Sequence, residues 1–167
     1  MILYIIRHAW AGHYGDPQWP DDFERPLSPA GKQRFGEFAE VLAGRGFAPQ
    51  LVATSPLVRC RQTAELVVEA VEKVNDQRVK LVELEALVPG GNRNELINWT
   101  DERAKEFDQI AWVGHAPAVG RLTASMIGGR GEIRFAKGAV AAVRFPIAPE
   151  PGDGELRWLL TAKMLGC

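Results

Sequence analysis

The chain has 167 residues, one ordinary domain's worth and long enough to bury a core without disulfide staples. Hydrophobic residues make up 46% and charged residues 25%, which excludes a disordered or fibrous chain. Lys+Arg 20 against Asp+Glu 21 leave a formal net charge of -1, so no basic excess points to nucleic acid.

Residues 2–6 form a continuous apolar run, the pattern of a strand buried on both faces. A polar loop over 9–27 follows, broken by Gly12, Gly15, Pro17 and Pro20. Ser28-Pro29 supplies an N-cap and then proline at the first helical position. Phe35, Phe38, Ala39 and Leu42 recur at helical spacing, and the helix should stop between Gly44 and Gly46. Residues 51–54 read as a short buried strand. Ser55-Pro56 is expected to open a second helix by the same device, with Ala64, Val67, Val68, Val71 and Val74 as its buried face. A third strand is expected over 79–82, then a Pro89-Gly90-Gly91 turn and a short helix with Asn92 and Glu95 in capping-box spacing. A fourth strand over 110–113 precedes a fourth helix over 117–126. Strands over 139–145 and 156–161 are joined by a turn rich in proline, glycine and acid. Strands alternating with helices predict an α/β fold. The expected form is a three-layer α/β/α domain whose mostly parallel sheet has about six strands, one of them antiparallel.

No stretch approaches the roughly 18 apolar residues of a membrane span, and residues 1–10 lack the basic leader of a signal peptide. Cys60 and Cys167 are two cysteines without C-x-x-C spacing, so neither a disulfide framework nor a thiolate zinc site is expected. The expectation is one cytoplasmic domain spanning 1–167.

In an open α/β sheet, ligands bind beyond the carboxyl ends of the strands. Arg7-His8 follow the first strand, Ser55 to Arg59 the second, and Gly114-His115 the fourth. Two arginines and two histidines thus converge on one sheet edge. Guanidinium groups bind phosphate bidentately, and a neutral imidazole can attack phosphorus and leave again. The helix expected to start at Ser55 would add its amides and dipole to the anion site. A phosphoryl-transfer site working through a phosphohistidine fits all four residues. Zinc fits worse, because adjacent arginines repel a dication and no carboxylate neighbours either histidine in sequence. No G-x-S-x-G elbow supports a serine nucleophile, and no arginine follows Cys60 at tyrosine-phosphatase spacing.

The same residues carry a resemblance. Tyr4-Ile5-Ile6-Arg7-His8 resembles the strand-plus-RH opening of the histidine phosphatase superfamily, which includes the phosphoglycerate mutases. Ser55-Pro56-Leu57-Val58-Arg59-Cys60-Arg61-Gln62-Thr63 resembles its S-P-x-x-R-x-x-Q-T segment, and Val113-Gly114-His115 its second-histidine segment. Asp22-Phe23-Glu24-Arg25-Pro26-Leu27 leads a stretch ending at Gly31 that is similar to the D-x-x-R-P-L-[ST]-x-x-G motif of the short SixA-type branch, protein phosphohistidine phosphatases.

This resemblance implies that His8 is the nucleophile, that Arg7 and Arg59 are phosphate ligands, and that His115 is the second phosphate-binding histidine. Arg25 would be a further anion contact, and Ser55 is grouped with the substrate-binding residues. No metal or cofactor is expected. The implied substrate is phosphohistidine on a protein or, alternatively, a small phosphate ester such as a sugar or nucleotide phosphate. A non-catalytic phospho-ligand binder is the remaining class. Ala9 replaces the glycine of the commoner R-H-G. Longer relatives protonate the leaving group with a glutamate carried on an insertion after the third strand, and 83–91 has no room for that insertion.

Overall fold

The computed structural model describes residues 1–167. In chain order its elements are β1 (Ile2–Arg7), α1 (Pro29–Ala43), β2 (Leu51–Thr54), α2 (Val58–Asn75), β3 (Lys80–Glu83), α3 (Arg93–Arg103), β4 (Gln109–Gly114), α4 (Ala118–Met126), β5 (Val140–Arg144) and β6 (Glu155–Leu160). The six strands make one sheet in the order β3-β2-β4-β1-β5-β6. The β1–β4, β2–β4 and β2–β3 pairs are parallel, whereas β5 runs against both β1 and β6. Five strands therefore share one direction and β5 alone opposes them, as the alternation of elements predicts.

The period of two in β1 divides the core. Tyr4 and Ile6 face one cluster with Phe35, Phe38 and Leu42 of α1 and Ala64, Val67 and Val71 of α2. Leu3 and Ile5 face the other, with Leu96 of α3 and Val119 and Met126 of α4. Helices α1 and α2 thus cover one face, and α3 and α4 the other. The chain leaves β1 toward the first face and leaves the adjacent β4 toward the second. A crevice therefore opens at the carboxyl ends of β1 and β4, where connections diverge. This is what positions the site.

Helix α1 starts as expected: Ser28 Oγ accepts from the Gly31 amide at 3.1 Å and Pro29 is the first helical residue. Gly31 has no freedom to become anything larger, because a Cβ there would collide with the Trp10 carbonyl. Helix α3 is capped by Asn92, whose side chain accepts from the amides of Asn94 at 3.0 Å and Glu95 at 3.3 Å.

Helix α2 departs from expectation. Its first residue is Val58 and no side chain caps it. The sheet ladder continues past β2, with the Ser55 amide donating to the Val113 carbonyl at 3.0 Å, so Ser55 is still extended where a cap was expected. The Phe23 carbonyl of the 9–27 loop accepts from the Val58 amide at 2.9 Å instead. Val74 is 41% exposed, so the buried face of α2 ends a turn earlier than its spacing predicts. Strand β3 lies at the sheet edge and is mostly exposed. No helix is long and apolar enough to cross a membrane.

Candidate active site

The backbone at the end of β1 is held from two sides. The His8 amide donates to the Gly114 carbonyl at 2.8 Å, and the His8 carbonyl accepts from the Gly138 amide at 3.0 Å. Thr63 Oγ1 accepts from the Ala9 amide at 3.0 Å and donates to the Arg59 carbonyl at 2.7 Å. Gln62 Oε1 accepts from the Leu27 amide at 2.8 Å. The Gln62-Thr63 pair of the α2 motif therefore fastens the first loop and β1 to α2. Its work is positional.

The His8 ring is oriented by its own neighbour. Nδ1 lies 2.7 Å from the Ala9 carbonyl. A carbonyl can only accept, so Nδ1 carries the proton and Nε2 keeps a free lone pair. Burial pushes the His8 pKa down to about 3; the bond to Ala9 resists this, and the charges of Arg59, Arg7 and His115 add to it. Burial, then the charge of Arg59, lowers His115 to about 4, with Asp22 opposing. Both imidazoles are neutral near pH 7, and each residue is only 7% exposed.

Arg7 is anchored by Nη1 donating to the Phe135 carbonyl at 2.7 Å. Arg59 donates from Nη1 to the Asp22 carbonyl at 2.6 Å and from Nη2 to Asp22 Oδ2 at 2.8 Å. Arg25 takes the other carboxylate oxygen, with Nε donating to Asp22 Oδ1 at 2.8 Å, and its Nη1 donates to the Gly12 carbonyl at 2.7 Å. Burial works to raise the Asp22 pKa, but the Arg25 hydrogen bond and the two guanidinium charges outweigh it and hold it below the usual carboxylate value. Asp22 is ionised at neutral pH.

These groups line one cleft of about 830 Å³. Arg7, His8, Arg25, Arg59 and His115 are all in its wall, and Asp22 is the one carboxylate there. Four buried side-chain atoms in the chain have no hydrogen-bond partner: Arg7 Nε, Arg59 Nε and both ring nitrogens of His115. All four belong to this cleft. Buried donors without partners are costly, and an oxyanion offering several acceptor oxygens would satisfy guanidinium and imidazole N–H together.

Two expectations are corrected here. Ser55 is fully buried and does not line the cleft; its amide is committed to the β4 ladder. The leading amide of α2 faces Phe23 rather than the cleft, so from that helix only the Arg59 side chain reaches the site. Arg25 is in the wall, yet its guanidinium is bound to Asp22 and to Gly12. Neither Glu83 nor Glu85 lines the cleft, and Glu83 lies 3.6 Å from Arg61 in an exposed pair. His13 is exposed at the cleft mouth, whereas Trp10 packs under Arg34 at 4.4 Å, away from the cleft. Sequence reasoning misses the joint hold of Asp22 on two arginines. It also misses Arg93, Arg121 and Lys137, which line the same cleft. The D-x-x-R spacing signals the Asp22–Arg25 half, an i,i+3 pair; nothing local signals the rest.

Neutral buried histidines tie stability to pH. In the unfolded chain both take protons near 6.5, and in the fold only near 3 and 4. The unfolded state therefore binds more protons below 6.5, and stability falls as pH drops through that window. Denaturant midpoints measured between pH 7.5 and about 4.5 should drop, and less steeply in a His8→Ala/His115→Ala variant. Equal slopes would contradict the two lowered values.

Several known proteins are similar to this chain. An uncharacterized protein of Picosynechococcus sp. is 31% identical over 121 residues, covering 72% of this chain and 69% of that protein. The structure of the protein histidine phosphatase SixA complexed with tungstate is similar with a TM-score of 0.83 at 25% identity, over 99% of both chains. A structure described as an alpha-ribazole-5'-P phosphatase from Escherichia coli shares the fold at a TM-score of 0.66 and 18% identity, over 97% of both. With residues 3–126 matching the profile of the Histidine phosphatase superfamily (branch 1), this chain belongs to that superfamily.

Proposed function

We propose that this phosphatase hydrolyses phosphohistidine displayed on a protein, through a covalent phospho-His8 intermediate. His8 Nε2 attacks phosphorus, the new N–P bond forming as the bond to the substrate imidazole breaks. Arg7, Arg59 and His115 hold the non-bridging oxygens, where charge shifts during transfer. Water then attacks phospho-His8, Nε2 regains its lone pair, and both protons of the water leave on orthophosphate. The Nδ1 proton stays hydrogen-bonded to the Ala9 carbonyl throughout, so the ring returns in the tautomer it began with.

The observation that carries this reading is the state of Asp22. It is the one carboxylate in the cleft wall, and two arginines keep it ionised. An alkoxide leaving group needs a positioned acid. A phosphohistidine protonated on its other ring nitrogen releases a neutral imidazole and needs none. The likeness to the SixA structure supports the same substrate class. The chain is read as one phosphatase domain over 1–167, acting in the cytoplasm; free thiols at Cys60 and Cys167 suit a reducing compartment.

The test is kinetic. A phosphohistidine protein or peptide should show a higher kcat/KM than sugar or nucleotide phosphates across a common panel. A clearly higher constant for one of those esters would replace this reading with a small-molecule phosphatase. No turnover of any substrate would favour the binder.

Turnover should also survive exhaustive chelation, and vanadate should inhibit by adopting a five-coordinate geometry. Arg7 and Arg59, with His115, already supply the positive and hydrogen-bonding groups that a divalent cation supplies elsewhere. Loss on chelation that a divalent ion restores would contradict this.

A further inference from the structure

Charge is unevenly spread over the chain. Of its 20 lysines and arginines, six line the cleft, against one of its 21 acidic residues. A molecule of net charge -1 thus presents a strongly positive cleft on an otherwise acidic body. The proposed chemistry uses part of that charge. Arg7 and Arg59 serve the phosphoryl group, and Arg25 is matched to Asp22.

Arg93, Arg121 and Lys137 remain. Arg93 is the first residue of α3, and its Nη1 donates to Ser125 Oγ of α4 at 3.3 Å. Ser125 stands four residues after Arg121, so the two guanidinium groups share one face of α4 beside the cleft. The carboxylate contact of Arg121 is to Glu132 at 3.5 Å, between side chains 71% and 48% exposed, and neutralises it weakly. Arg93 and Lys137 make no ion pair. Nothing within the chain calls for three such cations at one cleft. Arg7 and Arg59 already serve the phosphoryl group, so the negative charge that these three match lies elsewhere on the substrate.

Tyr14 indicates the size of that substrate. It lines the cleft from the first loop and is 84% exposed. A rigid aromatic ring at a cleft mouth suits packing against another protein surface. A small ester would leave it in water.

We propose that the partner is a protein whose phosphohistidine is set in an acidic surface, received by Arg93, Arg121 and Lys137 with Tyr14 packed against it. This rests on the phosphohistidine reading above and narrows it. Rim charges of this kind act through encounter and salt dependence.

Two phosphohistidine peptides of equal length test it, one flanked by Asp and Glu, the other by Asn and Gln. At low salt the acidic peptide should have a kcat/KM higher by roughly tenfold or more. The advantage should vanish at about 0.5 M salt, where screening acts over a few ångströms. An Arg93→Glu/Lys137→Glu variant should lose or reverse the preference, mostly through KM. Both positions are exposed, and an acid at the first turn of α3 favours the helix. Equal rates for the two peptides at low salt would overturn the proposal while leaving phosphohistidine as the substrate. A preference that persists in the double variant would overturn the assignment to these residues. Turnover of small esters with neither peptide accepted would remove the phosphohistidine reading itself, and this inference with it.

Discussion

Replacing His8 with alanine is expected to lower turnover by about four orders of magnitude or more, the scale at which loss of a nucleophile is felt. The reasons lie in the ring. Nδ1 is held by the Ala9 carbonyl, burial and flanking cations keep the imidazole neutral, and Nε2 retains its lone pair. Neither other histidine of the cleft wall matches that state: His115 has neither ring nitrogen held, and His13 is exposed at the mouth. The fold should survive, because His8 lies just past the end of β1 and its backbone bonds do not involve the ring. Acid-stable and acid-labile adducts separate the mechanisms: the native enzyme, quenched during turnover with labelled substrate, should yield an acid-labile, base-stable phosphoprotein. His8→Ala should yield none. Full activity in a folded His8→Ala enzyme would sink the covalent mechanism.

Arg59→Ala is expected to cost on the order of a hundredfold or more in kcat, as loss of a donor aimed at developing charge does elsewhere. Its effect should exceed that of removing the charge alone. Arg59 lines the cleft yet is 5% exposed, its Nε has no partner, and its two Nη groups fix Asp22. Without it, Asp22 keeps only the Arg25 pair, and the loop that carries both is held to α2 only through Phe23 and Leu27. Arg59→Lys should recover little, since an ammonium cannot span the carbonyl, the carboxylate and an oxyanion at once. The measurement is kcat beside the inhibition constant for vanadate, and both should worsen. A variant within a fewfold of native in both would remove Arg59 from the transition state.

Much of this fold is legible in the amino-acid sequence. The run over 2–6 is apolar at every position because β1 is covered on both faces, so its start and its depth follow from composition, while the strand itself runs one residue further, to Arg7. Ser28-Pro29 predicts the start of α1, since capping is satisfied within four residues. Alternating strands and helices require a largely parallel sheet, and a parallel sheet collects the ends of β1, β2 and β4 on one edge. Arg7, His8, Arg59 and His115 follow those strands, which is why they reach one cleft.

What only the tertiary structure decided depends on partners distant in the chain. Ser55-Pro56 reads as a helix start, yet the Val113 carbonyl, 58 residues on, keeps Ser55 extended and buries it. Asp22 lies three residues from Arg25, and that pair is local; Arg59 joins it from 37 residues away because Phe23 seats the loop on the start of α2. Arg93, Arg121 and Lys137 come from α3, α4 and the approach to β5, and read singly each is an ordinary surface cation. Periodicity and capping act over a few residues, so sequence carries them. Where a side chain finds its charge or hydrogen-bond partner depends on which segments the sheet brings together, and closing the sheet decided that Asp22 would bind two arginines and that three further cations would share their cleft.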